Sequence, residues 1–152
     1  MLSVGSLIVL TTVVLVVELW RSFPQRGWHL HQTEYFSMHL PNNLKLIYEG
    51  GTDSIVHEFK SDTMSMSFDY GFWSSDMSEF ENEKSFRSHH EIIGLVRAKL
   101  VTVESDERWL HAVYFPSSIF SRGMKLSLLV SCKDQEDCRY TEDIFRSVRF
   151  NF

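Results

Sequence analysis

The chain has 152 residues, a net charge of −5, and 12 Phe, 5 Tyr and 4 Trp. That length allows one domain, and aromatic side chains that each bury about 150–250 Å² supply a packed core, which excludes a disordered chain. Nine acidic residues face the single Lys60 between Ile47 and Glu83, against eleven basic and nine acidic residues from Lys84 onward, so no basic stripe exists and nucleic acid is excluded as the expected partner.

Residues Met1 to Val17 carry no charged side chain, and Leu7 to Val17 is apolar except for Thr11 and Thr12. A transmembrane helix needs about 20 apolar residues and a signal-peptide core about 7–15, and this segment falls between the two. No small-x-small cleavage site precedes Glu18-Leu19-Trp20, and Trp20, Arg21 and Trp28 read as interfacial residues. Residues 1–22 are therefore read as an uncleaved signal anchor, with residues 2–20 in the membrane, the alternative being a cleaved signal peptide. Residues 23–32 read as a juxtamembrane linker and 33–152 as the folded domain. Arg21 and Arg26 follow the apolar run and none precedes it, which by the positive-inside rule alone favours a cytoplasmic domain. The cysteines described below favour the opposite side. The expected location is a bacterial inner membrane with the domain facing the periplasm, or a secreted periplasmic domain if the segment is cleaved.

Period-2 alternation, the mark of strands with one buried face, recurs along the domain. Phe36, Met38 and Leu40 alternate with Ser37 and His39, and Pro41-Asn42-Asn43 makes a turn. A short strand over Leu44–Tyr48 runs to Gly50-Gly51. Ile55, His57 and Phe59 mark the next strand, and Lys60 to Thr63 a hairpin connection. Met64, Met66, Phe68, Tyr70 and Phe72 alternate with Ser65, Ser67, Asp69 and Gly71. The pattern breaks from Ser74 to His90, read as a loop with a short helix. Strands resume over Arg97–Val103, Trp109–Phe115 and Met124–Cys132. Tyr140, Ile144 and Val148, spaced by four, share one helix face. The expected fold is α+β: an antiparallel sheet of six or seven strands with a C-terminal helix packed on it, preceded by the N-terminal hydrophobic helix.

The order of these pieces, from Tyr35-Phe36-Ser37-Met38-His39-Leu40-Pro41, through Gly94-Leu95-Val96-Arg97-Ala98-Lys99-Leu100, to the closing Asp143-Ile144-Phe145-Arg146-Ser147-Val148-Arg149-Phe150, resembles the PsbP and DcrB-like group of small extracytoplasmic domains. The likeness covers about residues 33–152. It implies an α/β/α sandwich and an accessory or binding role without catalysis, and some proteins that neutralise type VI secretion toxins are similar in fold and compartment. No cysteine follows the apolar segment, so the lipobox of the group's lipoproteins is missing. The group shares no motif of functional residues, and none is transferred.

Cys132 and Cys138 are the only cysteines, with five residues between them. An isolated pair outside the cytoplasm favours a disulfide; the alternative is two free thiols with Cys132 as a small core hydrophobe. The spacing is poor for zinc. His29-Leu30-His31 and His89-His90 lack established ligand spacing and read as surface or juxtamembrane histidines, while His57 and His111 read as core histidines. No Gly-x-Ser-x-Gly elbow, catalytic-cysteine context or phosphate loop occurs. Asp76, Glu79, Glu81 and Glu83 lack a calcium-loop spacing. They read as a solvated or partner-facing loop, and beside Phe72 and Trp73 the expectation is a recognition surface for a basic-surfaced protein. The expected function is a membrane-anchored extracytoplasmic binding or accessory protein, not an enzyme, with no cofactor or metal. Toxin immunity is the most concrete version. The alternatives are a small metal-dependent hydrolase and a structural subunit of an envelope complex.

Overall fold

A computed structural model describes residues 26–104, 107–117 and 123–151. The expected anchor, residues 2–20, lies outside them. Among the described residues, no helix is long and apolar enough to cross a membrane.

The chain builds two antiparallel sheets. The larger has seven strands in the order β3 (Lys45–Gly50), β4 (Ser54–Lys60), β5 (Met64–Gly71), β9 (Lys125–Cys132), β8 (Trp109–Phe115), β7 (Val96–Glu104) and β6 (Arg87–Ile93). The smaller has β1 (Trp28–Gln32), β2 (Phe36–Pro41) and β10 (Arg149–Phe150), with β2 in the middle. One helix, α1 (Thr141–Arg146), and a 3-10 turn at Ser78–Phe80 complete the described elements.

Alternation accounts for the strands. In β5, Met64, Met66, Phe68 and Tyr70 are buried, while Ser65 is exposed and Ser67 and Asp69 half-buried. Phe68 stands opposite His57 of β4 on one side and Leu128 of β9 on the other. This inner face closes against Phe36, Met38 and Leu40 of β2, which are fully buried. The Phe36 and Phe68 rings meet edge-to-face at 5.0 Å and join the two sheets.

The expected α+β sandwich is corrected here. Of the described residues, 55% are in strands and 8% in helix, and the second layer is mainly a three-stranded sheet. Six strands of the large sheet lie about where strands were expected, but β6 does not, the expected strand at Phe36–Leu40 belongs to the small sheet, and the closing helix has only six residues. Ile144 and Val148 are both buried as the spacing of four requires. After Arg146, however, the Ser147 hydroxyl donates to the Ile144 carbonyl (2.6 Å) and accepts from the His39 backbone N–H (2.9 Å). Arg149 and Phe150 then pair with Ser37 and Phe36. One strand end is thus added where helix was expected. Arg146 ties α1 to β6 by a bidentate pair with Glu91 (2.9 and 3.1 Å).

β1 forms within residues 23–32, the stretch read as a linker, and is the edge of the small sheet. Trp28, read as an interfacial residue, packs edge-to-face on Tyr140 at 6.2 Å. β6 begins at Arg87, inside the stretch read as a loop.

Strand directions give the molecule two ends. At one end lie Met64 and Trp109, both register partners of Cys132, together with Cys138. The chain enters the fold there, because Trp28 meets Tyr140, two residues after Cys138. At the other end lie Gly71, Phe115, Leu126 and the β6–β7 hairpin, where Ile93 pairs with Val96. An eight-residue strand such as β5 separates the two ends by about 26 Å.

Candidate functional site

The loop after β5 leaves the inner face at Gly71 and crosses the outer face of the large sheet. Phe72, the last residue of the alternating run and one of the expected recognition residues, is 53% exposed, and Trp73 is 87% exposed. Phe72 leans on the chain just before β9, since a Cβ on Gly123 would meet its ring at 3.2 Å. The next residue anchors the loop. Buried Ser74 donates its hydroxyl to the Asp69 carbonyl (2.9 Å), with the Gly71 and Lys125 carbonyls within 3.3 Å. Met77, in the left-handed region at φ 66°, packs on Val101, Val103, Leu110 and Ala112 in a second small core. Phe72 and Trp73 therefore project from a fixed base, which keeps the entropy cost of ordering them in a complex low.

The four acidic residues expected beside them have separate local tasks. Asp76 Oδ1 accepts the Ser78 backbone N–H at 3.0 Å. Hydrogen bonds from Ser78, side chain first and backbone second, hold the Asp76 carboxyl below its usual range. Glu79 accepts the Ser75 hydroxyl at 2.7 Å, and Glu81 pairs with Lys99 at 3.2 Å. Lys99 also donates to the Asp76 carbonyl (3.2 Å). Glu83 is exposed, and its backbone N–H donates to the Phe80 carbonyl. So three of the four carboxylates brace the loop, one of them neutralised by Lys99, and the aromatic pair carries the free contact surface.

Two residues missed in the sequence share this end of the molecule. Gly94 and Leu95 form the two-residue turn between β6 and β7, both at positive φ (54° and 69°). A leucine in the left-handed region is an outlier, and its side chain is 78% exposed; nearby Ile92 is 66% exposed. The apolar run Ile92-Ile93-Gly94-Leu95-Val96 hid the turn, and the glycine was its one signal. Trp73 follows β5 and Leu95 precedes β7, three strand spacings or about 14 Å apart across the sheet.

Cys132 and Cys138 are joined as a disulfide, with both residues buried at the opposite end. Among the described residues, no group of three His, Cys, Asp or Glu side chains is placed to hold a metal ion. His29, His89 and His90 are exposed, as expected. His31 instead turns inward, half-buried, and meets buried His57 at 3.2 Å between Nε2 and Nδ1. His111 is half-buried, and its Nε2 has no partner among the described residues. The outer face beside the loop carries a depression lined by both polar and apolar side chains, among them Glu58, Asp69, Glu79, Val56, Met77 and Leu129.

Compared with known proteins, the sequence matches no protein-family model and no curated protein.

Proposed function

We propose that this chain is a non-catalytic extracytoplasmic binding domain, tethered by its N-terminal segment, that recognises a protein partner with Phe72 and Trp73. The carrying observation is Trp73 itself, 87% exposed beside a half-exposed Phe72 on a loop pinned by Ser74 and Met77. Exposed tryptophan is costly to leave in water and is the residue type most enriched at binding hot spots. Glu79, Glu83 and the lysine-paired Glu81 give this surface an acidic border, so the fitting partner has an apolar recess with a basic rim. A periplasmic location is supported by the disulfide, which persists in oxidising compartments. The polarity of the fold suits a tether, because the chain enters at the disulfide end and the aromatic pair stands at the other. Toxin immunity, the narrower version, fits a domain that plugs a recess of another protein.

The test is site-specific photo-crosslinking in the native cells. A crosslinking side chain at position 73 is expected to give a discrete heavier adduct, and one at position 133, at the disulfide end, is expected to give none of the same mass. An identical adduct pattern at both positions, or none at 73, overturns the reading.

A further inference from the structure

His31 and His57 come from strands of different sheets, 26 residues apart, and face each other across the seam between them. His57 sits in β4, opposite Phe68 in the register, with its ring 4.7 Å from that phenylalanine. His31 sits in β1, edge-on to Phe59 at 5.0 Å. The two rings are held by the aromatic core on one side and open to solvent on the His31 side. Their nearest nitrogens, His57 Nδ1 and His31 Nε2, are 3.2 Å apart.

The other nitrogen of His57 decides what lies between them. His57 Nε2 is 3.5 Å from Glu49 Oε1, on the neighbouring edge strand β3. A carboxylate there favours the tautomer with its proton on Nε2, which turns a lone pair at Nδ1 toward His31. This carboxylate–histidine pairing is the arrangement that orients metal-ligating imidazoles. Two imidazole nitrogens bound at 2.0–2.1 Å to one tetrahedral zinc ion lie about 3.3 Å apart, close to the separation present. His31 is half-buried, its ring packed against those of Phe59 and Phe68. His29 precedes it by two residues on the same face of β1 and contacts the Asn42 side chain at 3.3 Å.

We propose that His31 and His57 form a seat for one imidazole-seeking divalent ion of the zinc type, oriented by Glu49, that clasps the small sheet to the large one. The ion takes the lone pairs of His57 Nδ1 and His31 Nε2, the single proton of neutral His31 moving from Nε2 to Nδ1, so no net proton is lost. With two protein ligands, the ion completes its shell from solvent, so binding is moderate and readily reversed by chelators. The clasp stabilises the folded state by mass action, since the unfolded chain does not hold the two imidazoles together.

The test is calorimetric titration of the purified, chelator-treated full chain with zinc alone, with thermal unfolding followed in parallel. One ion per chain in the micromolar range is expected, with a raised melting temperature. His31→Gln and His57→Gln are each expected to weaken binding more than tenfold, and Glu49→Gln by about tenfold. His90→Gln is expected to leave binding unchanged. His31 is half-buried, so its variant keeps the test decisive even if the His57 variant does not fold. No binding at 0.1 mM zinc, or equal binding by the His31 variant, overturns the proposal.

Discussion

Phe68→Ala is expected to cost about 3–5 kcal/mol of folding stability, the range for emptying a buried phenylalanine site. Phe68 is 1% exposed at the centre of β5. Its ring touches Phe36 of the small sheet (5.0 Å), His57 (4.7 Å) and Phe59 (6.3 Å), so its loss opens a cavity at the joint between layers. Backbone pairing on both sides by β4 and β9 prevents the site from collapsing to fill the void. A domain of this size has about 5–15 kcal/mol in total, so a large part of its stability is lost. Phe72→Ala, four residues on and at the same phase of the alternation, is expected to change stability by only about 0.5 kcal/mol. Urea denaturation of both variants checks the contrast, and equal losses would place Phe72 in the core and contradict the recognition surface.

Replacing both cysteines, Cys132→Ser with Cys138→Ser, is expected to cost about 2–3 kcal/mol, or about 10 °C in melting temperature. The disulfide closes a six-residue separation between the last residue of a central strand and the turn before α1. Cys132 has register partners on both sides, Met64 and Trp109. Cys138 lies at the turn that positions Tyr140 against Trp28. Losing the bond releases α1, which covers the inner face through Ile144 and Phe145, and hydroxyls in two buried positions add a desolvation cost. Thermal unfolding with and without reductant measures the effect, and coincident melting curves would refute it.

The large sheet was legible because its central strands bury one face against one core. β5, β7, β8 and β9 announce themselves in their alternation for that reason. The edges were not legible. β6 begins Arg87-Ser88-His89-His90, all exposed, so no hydrophobic period marks it. β1 reads Trp-His-Leu-His-Gln, and its one large aromatic looked like a membrane-interface residue. At the C-terminus, residues spaced by four fit one helical turn followed by a bend as well as a longer helix, and only tertiary pairing with β2 separates them. The surface proposed for recognition was half legible. Phe72 and Trp73 stood out as aromatics running into an acidic loop, but Leu95 was concealed in an apolar run. The bracing roles of Asp76, Glu79 and Glu81 depend on Ser75, Ser78 and Lys99, the last from a distant strand. The His31–His57 contact joins residues whose proximity only the stacking of two sheets creates.

The account rests on a domain that works outside the cytoplasm, and the thiol count of the protein taken from its native envelope tests this most directly. Membrane and soluble fractions would be alkylated on lysis and compared with and without prior reduction. The account predicts that Cys132 and Cys138 are both blocked until reductant is added. Two freely alkylated thiols in the unreduced native protein would contradict it, and would return the domain to the side that Arg21 and Arg26 favour.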